Sequence, residues 1–134
     1  MAESGFVYMD PDQTGVFYQE FLKRVGETDE ATFNEGRFKM NLDRCMQMAQ
    51  AERGDLARLF AHNLIQLLRD KDRTFSKRPM GMSLALLFAW LHRNGAMLWM
   101  EPAELEGVMR TIAAGGVYLE DVDQYLRQYI RQAE

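Results

Sequence analysis

The sequence predicts an all-α domain of about six helices, with at most one short β-hairpin. Three observations predict it. Apolar residues recur at spacings of three and four through most of the chain, which is the period of a helix with one buried face. The segments are separated by single turns with recognisable starts (Asp, Pro) and stops (Gly), and no Pro/Gly/Ser linker, repeat or low-complexity tract divides them. One segment, "PMGMSLALLFAWLH", is apolar on nearly every side and needs other helices around it. With 134 residues, one domain over residues 1–134 is expected, large enough to bury roughly two-thirds of its unfolded surface.

"DPDQTG" at 10–15 is a turn and helix start, followed by "VFYQEFLKRVG". Phe17, Phe21, Leu22 and Val25 there share a face, and Gly26 is the stop. A second helix is expected from Phe38, Leu42, Cys45 and Ala49, despite Gly36. Asp55 caps a third, whose Leu56, Leu59, Phe60, Leu64, Leu67 and Leu68 form a stripe ending near Arg69 or Asp70. The fourth is the apolar segment from Pro79 to His92, with proline at the first position and Gly95 as the left-handed stop. "AMLWM" at 96–100 reads as a short extended piece, to be paired with "FVYM" at 6–9. Pro102 opens a fifth helix with Leu105, Val108, Met109 and Ile112, halted by Gly115 and Gly116. The sixth runs from about Leu119 to Ile130 and turns Val122, Tyr125, Leu126 and Tyr129 inward.

Composition removes several function classes. Sixteen basic residues against twenty acidic ones, a net charge of -4, do not make the broad basic surface that general nucleic-acid binding requires. Cys45 stands alone, so an intramolecular disulfide and a cysteine-based zinc site are both excluded, and a reducing compartment is expected. The uncharged stretch 79–91 is shorter than the roughly 20 residues that span a bilayer. "MAESGFVYMDPD" lacks the features of a cleaved signal, so the chain is expected to be cytoplasmic and without membrane association. No GxxxxGK[ST], GxSxG, HExxH or EF-hand pattern occurs, and no cofactor is expected. His62 beside the third stripe reads as structural, and His92 in a last helical turn as a dipole partner. Asp121 with Asp123, and Glu104 with Glu106, read as solvated helix surface.

The pieces "EGRFKMNLDRCMQ" at 35–47, "ALLFAWLHRNG" at 85–95 and "MEPAELEGVMRTIAAGGVYLEDVDQYLRQYI" at 100–130 stand in an order that resembles the Fic/Doc superfamily, closest to small death-on-curing (Doc) toxins. Those proteins carry the motif H-x-F-x-[DE]-[GA]-N-[GK]-R before the buried helix. Counting back from Gly95 places the motif on "RTFSKRPMG" at 73–81. Phe75 matches. Arg73 stands where histidine would, Lys77 where the acid would, Arg78 for the small residue, Pro79 for asparagine and Gly81 for the final arginine. In the family the histidine accepts a proton from the target hydroxyl and the acid holds Mg²⁺ on the nucleotide phosphates. An arginine does not act as base near neutral pH, and a lysine does not ligate magnesium, so the transfer chemistry is missing. The resemblance implies a Fic/Doc-like (Fido) helical domain with a degenerate active site, a pseudoenzyme that acts by protein binding as a regulator or inactive subunit of a toxin–antitoxin-like or effector complex. The alternatives are a divergent Doc-like nucleotidyl- or phosphotransferase toxin, and a helical adaptor whose likeness is architectural only.

Two surfaces carry the binding expectation. Five of the ten residues at 69–78 are basic and two acidic, and Arg73, Lys77 and Arg78 precede a helix N-terminus, where free N–H groups favour an anion. A phosphate, a nucleotide without metal or an acidic peptide would suit such a pocket. The bland reading is a solvated loop. The second surface comprises Met97, Trp99 and Met100, adaptable and aromatic residues that would anchor an interface or else close one end of the core.

Overall fold

Asp10 starts the first helix by accepting the N–H of Asp12 on its side chain (3.0 Å), with proline at the next position where a missing N–H costs nothing. The structure, a computed structural model, describes residues 9–132. Helix α1 spans Pro11–Arg24 and ends in Gly26 at φ +75°, whose conformation lets the N–H groups of Gly26 and Glu27 reach back to Lys23 and Leu22. The buried line on α1 is Thr14, Tyr18 and Leu22, rotated from the expected Phe17, Phe21, Leu22 and Val25. Tyr18 wins the interior because the backbone of Lys77 satisfies its hydroxyl. Phe17 and Phe21 are half-buried and Val25 is exposed.

Helix α2 (Glu35–Glu52) is capped by Asn34 and buries Phe38, Asn41, Cys45 and Ala49. It stops at Arg53, which takes a left-handed conformation. Asp55 caps α3 (Leu56–Arg69), whose buried residues run from Leu59 through Ile65 and include Leu67 and Leu68. A single turn, α4 (Lys71–Thr74), follows, an element the periodicity did not predict. Helix α5 covers Pro79–Arg93, β1 Ala96–Leu98, α6 Pro102–Ala114, α7 Leu119–Arg127 and β2 Ile130–Gln132.

The central helix is α3 rather than the more apolar α5. It packs against α2, α5, α6 and α7, whereas α5 leaves Gly81 and Ala89 exposed and Leu84, Ala85 and Phe88 half-covered. Polar residues on α3 are admitted because each finds a partner: Asn63 donates to the Leu59 carbonyl (3.0 Å) and His62 Nε2 lies 2.6 Å from Glu52 Oε1. One contiguous core includes Phe60, Leu64, Leu68, Leu87, Leu91, Met109 and Leu126, with the Phe60 and Trp90 rings stacked at 6.4 Å.

The extended piece at 96–98 exists, and among the described residues it pairs with antiparallel β2, with Ala96 opposite Gln132, Met97 opposite Arg131 and Leu98 opposite Ile130. Residues 6–8 of the expected "FVYM" partner lie outside the described residues. That pairing also ends α7 at Arg127, short of the expected Ile130, because Ile130 is drawn into the two-stranded sheet; α6 and α7 lie between its strands, so it is not a hairpin. Among the described residues no helix is long and apolar enough to cross a membrane.

Candidate functional site

The 73–81 segment is built onto an aromatic cluster. Phe75 is fully buried, 5.0 Å from the Tyr18 ring, 5.5 Å from Phe33 and 6.3 Å from Phe38. Its backbone is pinned by bonds from Asn34 N–H to the Thr74 carbonyl and from Ser76 N–H to the Thr32 carbonyl, with the Ser76 hydroxyl accepting the Thr32 N–H. The Tyr18 hydroxyl holds both backbone groups of Lys77. Arg78 adopts φ 51° immediately before Pro79, a conformation that L side chains enter at some cost.

The three cations of this segment have different surroundings. Arg78 Nε pairs with Glu27 Oε1 at 3.1 Å and Lys77 Nζ lies 3.8 Å from Asp29 Oδ2. The Arg78 hydrogen bond keeps the Glu27 carboxyl below its usual range. Arg73 sits on α4, exposed, without an ion pair among the described residues. Carboxylates of the α1–α2 connection therefore balance two of the three charges that an anion pocket would use. The unfavourable meeting of cations with a helix N-terminus is relieved from within the chain.

The second surface lies beyond the other end of α5, at and after β1. Trp99 is 63% exposed and Met97 38%, while Met100 packs partly against the core. Met97, Trp99 and Met100 line a concavity of about 400 Å³ with Glu101, Glu104 and Tyr129. Next to it, between α6 and α7, lies a groove of about 710 Å³ lined by Val108, Ile112, Val117, Val122 and Leu126, with Tyr118 and Tyr125 beside them. A Cβ added at Gly107, which lines the groove, would meet nothing within 4 Å.

Glu104 belongs to both concavities. It is half-buried rather than simply solvated, and accepts hydrogen bonds from the hydroxyls of Tyr125 and Tyr129 (2.9 Å for Tyr129). Those bonds push the Tyr125 hydroxyl's pKa upward, first through Glu104 and then through Tyr129. Tyr125 is consequently turned outward, 36% exposed, and not into the core.

Asp123 likewise is no surface carboxylate. It is buried to 9% exposure, joins α7 to α3 through Arg58 (3.2 Å) and holds Arg127 one turn along α7 (2.9 Å), while Arg127 makes a second link to α3 by gripping Asp55 with both terminal nitrogens. Arg58 reaches Glu52 and Glu120 as well. This lattice joins charged residues scattered between 52 and 127, so no local pattern announces it. Burial pushes the Cys45 thiol up to about 12, which makes it a poor nucleophile. Among the described residues no group of three or more His, Cys, Asp or Glu side chains is placed to hold a metal ion.

No protein-family model matches the chain, and no curated protein matches it.

Proposed function

We propose that the chain is a cytoplasmic binding domain, Fic/Doc-like in the order of its parts, that works by engaging another protein and not by transferring a nucleotide. The observation that carries this reading is the pairing of Arg78 with Glu27 and of Lys77 with Asp29. Those cations occupy positions where the family has its small residue and its magnesium-binding acid, and their charge is directed at carboxylates of the same chain. A phosphate at this loop would have to displace both carboxylates and would find neither a base nor a metal ligand in the aligned positions. The exposed Trp99, Tyr118 and Met97 supply apolar area for a partner. Cys45, single and buried, suits a reducing compartment.

The test is incubation of the purified chain with γ- and α-labelled ATP, with and without Mg²⁺, in a lysate. The expected result is no label on any protein above the level given by the Arg73→Ala variant. Transfer that Arg73→Ala abolishes would replace this reading with that of a divergent transferase.

A further inference from the structure

We propose that the continuous face made by α6, α7 and residues 97–101 docks a basic amphipathic helix of a partner protein, whose apolar side lies in the α6–α7 groove while an arginine or lysine sits against Trp99, Glu101 and Glu104. This rests on the binding reading above and names the chemistry of the partner. Three observations carry it.

The two concavities adjoin at Glu104, which lines both, so one bound segment can reach from one into the other. The apolar part runs along α6, whose 13 residues extend about 20 Å, enough for three turns of a helix presenting anchors at i, i+3 or i+4, and i+7.

The charge on this face is one-sided. Between positions 97 and 127 the chain carries Glu101, Glu104, Glu106, Glu120, Asp121 and Asp123 against two bases, Arg110 and Arg127, and Arg127 is taken by Asp55 and Asp123. Arg110 is taken by Glu106 at 3.3 Å, Asp123 and Glu120 by Arg58. Glu101 and Asp121 are left exposed without an ion pair among the described residues. An acidic or neutral helix would leave this excess unanswered, and a basic one is steered toward it.

The third observation is Trp99, 63% exposed in the same concavity as Glu101, Glu104 and Tyr129. An aromatic face beside carboxylates suits a guanidinium or alkylammonium group, which gains both the ring's quadrupole and the ionic contact. A second copy of the chain fits less well. Of its basic stretch at 69–78, Lys77 and Arg78 are engaged by Asp29 and Glu27, and the only helix there is the single turn α4.

The experiment selects a displayed library of helical peptides of about 16 residues, randomised at charged and apolar positions, on the full chain at low salt. Enriched peptides are expected to be net positive, with apolar residues on one face. Their binding should shift Trp99 fluorescence and weaken several-fold as salt rises from about 50 to 200 mM. Gly107→Gln, which fills open space in the groove, should cut affinity about tenfold, and Glu101→Lys a comparable amount, with the thermal melts of both variants showing a folded chain. Enrichment of acidic or neutral peptides, no enrichment, or binders indifferent to both variants would overturn the proposal. Binders lost only on substitution of Arg73, Lys77 and Arg78 would overturn it too, while leaving the protein-binding reading standing. A dimer in sedimentation that Gly107→Gln dissolves would assign the face to a second copy instead. Label transfer from ATP would remove the non-catalytic reading without touching the peptide result.

Discussion

The hydroxyl of Tyr18 donates to the carbonyl of Lys77 at 2.6 Å and accepts the N–H of the same residue at 2.9 Å. One side chain of α1 thus takes up both backbone groups of a residue 59 positions away, just where the chain turns into α5. Tyr18→Phe keeps the ring among Phe33, Phe38 and Phe75 but removes both bonds. Losing hydrogen bonds at a largely covered site costs about 1–3 kcal/mol, and urea denaturation should read that loss. A change below a few tenths would mean that water replaces the hydroxyl.

Glu52 is held down to about 2, from an ordinary 4.5, chiefly by its hydrogen bond from Arg58 and then by His62. The folded chain resists a proton that the unfolded chain accepts. This contribution is therefore complete above pH 4.5 and disappears as pH falls toward 2. In Glu52→Gln the decline of stability on acidification should be shallower than in the parent. Parallel curves for the two proteins would refute the assignment.

Arg53 adopts φ 56° at the end of α2 with an exposed side chain, a conformation that glycine enters more readily. Arg53→Gly should raise stability by about 0.5–1 kcal/mol, measured by chemical denaturation. A loss of stability would show that the arginine has a partner that outweighs its backbone cost.

Gly107 lies inside α6, where a Cβ meets open space. Gly107→Ala should stabilise by about 0.5–1 kcal/mol through the restricted unfolded chain and better helix propensity. An unchanged melting temperature would contradict this.

Cys45 is buried to 1% exposure and its thiol pushed up to about 12. A thiol reagent at neutral pH should label the folded chain slowly and the denatured chain at once. The labelling rate would then follow opening of α2, increasing with mild urea. Immediate labelling of the native protein would place Cys45 at the surface.

Most of the helices were legible because their information is local. Caps such as Asp10 and Asp55, the prolines at 79 and 102, and the glycines at 26 and 95 act within a few residues of themselves. Which helix is innermost was not legible from hydropathy. The polar groups of His62 and Asn63 lowered the apolarity of α3, yet Glu52 and the Leu59 carbonyl satisfy them in the interior. The length of α7 and the outward turn of Tyr125 depend on β1 and Glu104, which are distant in sequence. At the basic loop, the run of Arg73, Lys77 and Arg78 could be read directly. Glu27, which neutralises Arg78 from 51 positions away, could not, because nothing in an acidic residue after a helix stop announces its target.

The antiparallel pairing of β1 with β2 fastens the chain on both sides of α6 and α7, with Trp99 N–H bonded to the Tyr129 carbonyl at 2.7 Å where the two strands meet. At the other edge the Arg127–Asp55 and Asp123–Arg58 pairs tie α7 to α3. The paired helices are consequently a preorganised cleft whose walls have already surrendered their conformational freedom during folding. A visitor would bear chiefly the cost of its own ordering, and tightening its own helix would be the economical way to bind more strongly.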